Sequence, residues 1–254
     1  YVTHYQGFYN NMVANEMFLD SAVKRTSVMS HAKALGYIPS SFVASKALVD
    51  IIINDATEGS SYLTKHTKFV AVKDGVTYVF TNPDLKEFEV LSTTQKIVRD
   101  VEIIEGTWRN ASFMVDSNFS NQRFIIPEKN VDMNRLTVNV ITSTTDSTGS
   151  TDTWTAVSDI TELTSTSKVY YTQETEEGAY EIYFGDGILG LKPNDGNIVI
   201  LEYLVTNGGG ANNVGSQDSA SSKSFSNNSF ADITVTSPSN SGSVKESIES
   251  IRFN

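Results

Sequence analysis

The chain has 254 residues, a formal net charge of -11 and no cysteine. An acid surplus of this size argues against a nucleic-acid partner, whose phosphates are met by clustered Lys and Arg. Without cysteine there is no disulfide framework, thiolate metal site or cysteine nucleophile, and no apolar run approaches the ~20 residues that span a bilayer.

In chain order, residues 1–36 read as helical, because Met12, Phe18, Ala22, Val28, Met29, Ala32 and Leu35 recur near helical spacing. The best-punctuated helix runs from Ser21 to Leu35, with Gly36 as its stop and Pro39 beyond. From Ala47 the period falls to two. "ALVDIII" reads as a strand, and "KFVAVKDGVTYVF" as a hairpin turning at Lys73-Asp74-Gly75. Further strands are expected at "KIVRDVEIIEG", "RFIIP", "LTVNVIT", "TWTAV", "KVYYTQE", "YEIYF", "NIVILEYLV" and "ADITVTS". The run "TSTTDSTGSTDT" is polar, and "TNGGGANNVGSQDSASSKSFSNNS" reads as a long loop or linker. Ser243-Val-Lys-Glu246 fits a capping box opening a C-terminal helix, with Val244, Ile248 and Ile251 on one face.

The expected fold class is α+β and β-dominant: an N-terminal helical segment, an antiparallel β-sandwich or partial barrel, a β-rich insertion and the start of a C-terminal helix. The expected division is 1–46 helical, 47–106 with 171–236 as the main β domain, 107–170 as the insertion, and 237–254 as a linker opening a further domain. A first residue of Tyr rather than Met fits a piece of a longer chain.

The sequence "YFGDGILGLKPNDGNIVI" poses a chemical question, since Gly185, Gly187 and Gly190 match G-x-G-x-x-G. A dinucleotide site needs a helix after the glycines, with its N-terminal amides on the pyrophosphate. Here Pro193 and the turn Asn194-Asp195-Gly196 follow, and then another strand. Kinase-type companions, an invading lysine strand with H-R-D and D-F-G, are missing from the sequence. The glycines are therefore expected to serve a sheet corner, with Gly185 or Gly187 at positive φ.

The same stretch resembles the signature of the baseplate J-like proteins of contractile phage tails. Phe184, Gly185, Asp186, Gly187, Gly190, Pro193, Gly196, Tyr203, Gly208, Gly209, Asn213 and Val214 match its pattern. Upstream, Arg25, Ser27, Gly36, Tyr37 and Pro39 match the family's helix-Gly-Tyr-x-Pro segment. With the β-rich insertion, the chain is most similar to the larger, T4-like baseplate wedge subunits. The resemblance implies a structural part made in the host cytoplasm and carried in the virion. Several copies would form a ring around the tail hub and rearrange on sheath contraction. It implies no catalysis and no cofactor, and as partners other wedge proteins and further copies of the chain.

Each residue with possible chemistry has a plainer reading. Asp186 reads as a turn residue accepting backbone N–H groups, since no second acid stands at calcium-loop spacing. His4, His31 and His66 have no companion at metal spacing, and no G-x-S-x-G elbow is present. The acidic cluster Glu174–Gly178 reads as a solvated hairpin tip, or else a patch for a basic partner. Trp108 and Trp154 read as core or interface aromatics; stacked on sugar they would instead support a β-sandwich adhesin or carbohydrate-binding module. A hydrolase on a β scaffold is the third reading. The two helical ends each need something to bury against, so Met12, Val28, Ile248 and Ile251 are the expected assembly contacts.

Overall fold

The computed structural model describes residues 2–55, 57, 59–119, 121–142, 150–157, 162–175, 177–216 and 225–253, apart from the side chains of His4 and Phe8. Parts of the polar run, of the Gly/Ser/Asn-rich stretch and of the acidic cluster (Glu176) lie outside the described residues, as does the His4 side chain.

The N-terminal segment is helical in two pieces, α1 (Val2–Glu16) and α2 (Arg25–Ala34), the second starting four residues after the expected Ser21. The break has a local cause. Lys24 supplies no side-chain cap to α2, and the Glu16 carboxylate instead accepts the backbone N–H of Val23 at 3.0 Å and of Lys24 at 3.2 Å. At the other end Gly36 takes φ +83° and the Tyr37 N–H closes on Ala32 O at 2.9 Å, as expected of a left-handed helix stop.

The strands follow in order: β1 (Lys46–Asn54), β2 (Tyr62–Leu63), β3 (Lys68–Lys73), β4 (Val76–Thr81), β5 (Lys86–Glu87), β6 (Glu89–Val90), β7 (Gln95–Glu105), β8 (Thr107–Met114), β9 (Phe124–Ile125), β10 (Val131–Ile141), β11 (Thr151–Ala156), β12 (Val169–Glu174), β13 (Tyr180–Phe184), β14 (Ile198–Val205) and β15 (Asp232–Asn240). A short helix, α3 (Ile248–Phe253), ends the described chain. The fold is thus β-dominant with short helices at both ends, and its two large sheets form a half-barrel and a nearly closed barrel.

The half-barrel runs β15-β1-β7-β4-β3, with β6 on β7. Alternation along β1 buries Ala47, Val49 and Ile51, which join Phe69, Phe80, Val101 and Ile103 in one core. Ala211, Val214 and Phe225 complete that core. Ala211 and Val214 come from the stretch expected to be a loop; they are fully buried, and a 3-10 turn at Gly208–Ala211 delivers them. The nearly closed barrel runs β8-β14-β10-β11-β12-β13-β9, all antiparallel except β11 with β12.

The expected insertion edge at residue 170 cuts through this second sheet. Tyr170, Ile182, Val199, Leu201 and Tyr203 share a core with Val131, Val138, Val140 and Trp154, so strands from Thr107 to Val205 bury one another. Strand periodicity alone does not say which strands pair. The expected capping box is also displaced. Ser243 forms a two-way backbone bridge with Val43 at 3.0 Å, and the α3 cap is Ser247, whose Oγ accepts the Ser250 N–H at 3.2 Å.

The chain passes into the second sheet at Glu105–Thr107 and returns at Val205–Asn207. The Glu105 side chain, 1% exposed, lashes the two crossings together. Its carboxylate accepts the Thr206 hydroxyl, the Asn207 N–H at 2.9 Å and the Asn207 amide at 2.8 Å. Asp132 of β10 adds a tie by accepting the Ala44 N–H at 3.0 Å. Ala44, Ile104 and Leu204, with Trp108 against them, fill the space between. Gly106 sits in the middle at φ +135°, where a Cβ would lie 2.5 Å from Val205 O. Gly106→Ala is therefore expected to lower stability by at least about 2 kcal/mol through strain and overpacking, read as a lower urea midpoint at unchanged slope. An unchanged midpoint would mean that the crossing is not a tight constraint.

Candidate functional site

The glycine motif forms a turn between β13 and β14, with no helix after it. Asp186 does what a turn aspartate does: its Oδ1 accepts the N–H of Ile188 at 2.9 Å and of Leu189 at 3.1 Å. Those bonds hold its carboxyl below the usual aspartate value. Gly187 and Gly190 take φ of +92° and +93°. Gly185 does not; it is needed for space, because a Cβ there would meet Leu189 O and Gly190 O at 2.4 Å. A pyrophosphate therefore has no helix N-terminus to approach here. Pro193 lines a cleft of about 410 Å³ beside the turn, with Phe119, Tyr171, Tyr183 and Lys192. Arg123 lies over the Tyr183 ring at 4.8 Å and pairs with Glu181. Gly196, at φ +76°, closes the next turn by donating its N–H to Val115 O at 2.9 Å.

A second centre joins three distant parts of the chain. Glu174, the last residue of β12, has a side chain 3% exposed. Its Oε1 accepts Arg25 Nε of α2 at 2.8 Å and Lys245 Nζ of the C-terminal segment at 2.9 Å. Arg25 Nη1 also donates to Glu246 O at 2.6 Å. The Glu246 carboxylate in turn accepts the Tyr37 hydroxyl at 2.7 Å and the Ser40 N–H at 3.1 Å. Glu174 is thus a buried anchor and not part of a solvated hairpin tip, because two cations from other elements close over it. Burial works against its charged form, but the hydrogen bonds and charges of Arg25 and Lys245 outweigh burial and hold its carboxyl below the ordinary value. Burial, with the Glu174 charge beside it, pushes the Tyr180 phenol up to about 12.

This anchor sets where the expected assembly residues lie. Val28 and Ile251 are 0% and 1% exposed and pack together with Ala22 and Ala32; Ile248 lines the same cluster. They form a small internal core between α2 and α3; Val28 and Ile251 offer no surface in this fold, and Ile248 is partly buried. Met12 differs: it stands on α1 and is 40% exposed.

The remaining candidates have structural partners. His31 Nε2 donates to Glu16 O at 2.9 Å. His66 stacks on Trp108 at 4.7 Å, and Trp108 Nε1 donates to Thr81 Oγ1 at 3.1 Å. Trp154 is 4% exposed, inside the barrel core. Neither indole presents an open face for sugar. Among the described residues no three His, Asp or Glu side chains group as metal ligands do. Sequence reasoning missed Glu105, Glu174 and Glu246, whose partners are too far along the chain for any local pattern to mark them.

The picture is of two β bodies lashed at a neck, with α2 and the C-terminal segment pinned to the second. Residues 113–199 match the family described as "Bacteriophage baseplate wedge protein gp6, third domain", and that range falls inside the second sheet. Over 232 residues, 84% of this chain, the sequence is 27% identical to "Baseplate wedge protein gp6" of Enterobacteria phage T4. The chain spans 33% of that relative's length. It is therefore similar to a T4-like baseplate wedge protein, as the resemblance anticipated; these matches do not carry the baseplate J-like part of it.

Two outcomes follow. At neutral pH Glu174→Gln is expected to cost about 1.5–3 kcal/mol, the scale of a hydrogen bond to a charged group. Because the folded carboxyl titrates below its ordinary 4.5, this contribution is complete above that value and is lost as the pH falls through the folded one. Melting curves of the two proteins should stay apart near neutrality and converge in acid; parallel curves throughout would remove the charge from the account. In the turn, Gly185→Ala and Gly187→Val should each destabilise by about 1–3 kcal/mol. Gly187→Asn, with a residue that tolerates positive φ, should be milder than Gly187→Val. Equal effects of Asn and Val at that position would count against the backbone argument.

Proposed function

We propose that this chain is a structural subunit of a contractile phage-tail baseplate wedge, sited in the tail baseplate of the virion, and that it works by holding neighbouring proteins rather than by catalysis. The observation that carries the reading is the similarity to the T4 wedge protein over 84% of the chain, helical and β parts together. In this reading the chain contributes to a ring around the tail hub and moves as a body when the sheath contracts. Its partners are other wedge proteins and further copies of itself.

The structure offers a surface for this task on α1. That helix is 15 residues long and has no buried residue among its described side chains. Val2, Tyr5, Tyr9, Met12 and Val13 are all exposed, and spacings of three and four place them along one stripe. A helix of this length is marginal by itself in water, so a neighbouring wedge subunit covers it in the particle. The internal cluster of α2 and α3 keeps the opposite end of the chain closed while α1 docks.

Tyr5→Asp with Val13→Asp is therefore expected to leave the thermal melt within about 0.5 kcal/mol of wild type, as surface changes do, and to abolish incorporation into tails in a complementation assay. Val28→Asp should instead unfold the small helical core and lower the melt itself. Wild-type incorporation of the α1 double variant would refute α1 as the docking element.

A further inference from the structure

A helix leaves backbone donors unmet at its start and acceptors unmet at its end, and its dipole favours an acid at the first and a cation or donor at the second. α1 and α2 each lack what they need. α1 has no basic residue in its last turn, and α2 has no acidic residue in its first turn and no side-chain cap from Lys24. Each need is met from the other helix. Oε1 of Glu16, the last residue of α1, accepts the Val23 N–H at 3.0 Å and the Lys24 N–H at 3.2 Å. The Ser27 hydroxyl of α2 and these two amides hold the Glu16 carboxyl below its ordinary value. In return His31 Nε2 of α2 donates to Glu16 O at 2.9 Å. The link adds the Ser21 hydroxyl, which donates to Asn15 O at 2.6 Å.

The arrangement makes sense only for the pair. An acid in a last turn meets the negative end of the dipole, so Glu16 does nothing for α1 by itself and serves the start of α2. The link between the helices is held as well. Ala22 is 0% exposed, Leu19 packs into the same cluster with Val28 and Ile251, and Arg252 of α3 donates to Ala22 O. The Ala22 N–H closes on Phe18 O at 2.9 Å. α1 therefore leaves from a point fixed to the small helical core, with its last turn clasped and none of its described side chains buried. Glu16 follows Met12 by four residues and Val13 by three, which puts it in line with the apolar stripe. Its grip on Val23 and Lys24 turns that stripe toward the side on which α2 begins.

We infer that Glu16 and His31 form a reciprocal joint that sets the direction of α1 and the side to which its apolar stripe faces. They are positioning residues. Neither belongs to the buried cluster of α2 and α3, and neither adds apolar surface to the stripe. Their bonds are made together or lost together, because the carboxylate reaches Val23 and Lys24 only where the end of α1 lies against His31. A helix whose direction is preset docks without first being ordered, which lowers the entropy cost of association. The use made of the joint rests on the reading of α1 as the docking element; the joint itself does not.

The test uses the whole 254-residue chain, whose lack of cysteine lets nitroxide labels be placed freely. Thr3 and Lys33 are exposed, and Thr3 stands near the far end of α1, about 20 Å along the helix from Glu16. With labels on Thr3→Cys and Lys33→Cys, pulsed dipolar spectroscopy should find one narrow distance distribution. Adding Glu16→Ala should broaden it roughly twofold or more. Alanine favours a helix at least as well as glutamate, so the broadening reports the joint and not a weaker α1. His31→Ala, on the other half of the joint, should broaden it too. Glu16→Gln, whose amide oxygen still accepts both backbone N–H groups, should stay narrow. Incorporation into tails should fall at least tenfold in Glu16→Ala and return in Glu16→Gln. A broad distribution in the parent, or a narrow one in both alanine variants, would overturn the joint. Undiminished incorporation beside a broadened distribution would overturn its role in aiming α1. Either failure would leave the docking stripe standing, since Tyr5→Asp with Val13→Asp tests that by itself.

Discussion

The buried carboxylate of Glu105 is the constraint on which the arrangement of the whole chain depends. A carboxylate taken out of water is costly unless its oxygens are met by donors. Here the donors are the Thr206 hydroxyl and the backbone and side-chain amide of Asn207. They belong to the return crossing, and Glu105 belongs to the outward one. The charge can be satisfied only if both crossings sit side by side. Other ties run beside it, Asp132 on the Ala44 N–H and Arg135 on Glu102. With the ion satisfied, and with Ala44, Ile104 and Leu204 packed beside it, the neck becomes part of the folded structure.

Glu174 applies part of the same logic at a second point, through Oε1 alone, while its Oε2 is buried without a hydrogen-bond partner among the described residues. Its partners come from α2 and from the segment before α3, so both are drawn onto the end of β12 in the second sheet. Glu246 then binds Tyr37 and the Ser40 backbone, which explains why a tyrosine follows the helix stop at Gly36. The apolar faces of α2 and α3 are consumed by each other. α1 alone among the three helices has no buried residue among its described side chains.

The sequence made some of this legible and hid the rest for physical reasons. The β-dominant class and every strand of five residues or more except β8 could be read from period-two runs of Val, Ile, Thr and Tyr. The Asp74-Gly75 hairpin turn was equally plain, with φ of 50° and 79° at its two centres. The glycine turn could be separated from a nucleotide site because Pro193 follows it. Strand β8 escaped notice, since only Ala111 and Phe113 mark its buried face and Arg109 interrupts the alternation. The extent of the second sheet escaped too, because periodicity reports a strand but not its neighbour. The ionic anchors were the least visible: Arg25 lies 149 residues from Glu174, and Lys245 lies 71 residues away. A helical face such as that of Val28 signals burial without saying whether the cover is the same chain or another, which is why internal core residues looked like assembly contacts.

The most direct test of the account is a cryo-EM map of the intact tail particle that carries this chain. The account predicts that the half-barrel and the nearly closed barrel fit density in the baseplate as one body, with the Glu105 neck and the Glu174 anchor unchanged and the apolar stripe of α1 covered by another protein chain. Density for the chain outside the baseplate, or α1 bare in solvent within it, would contradict the account.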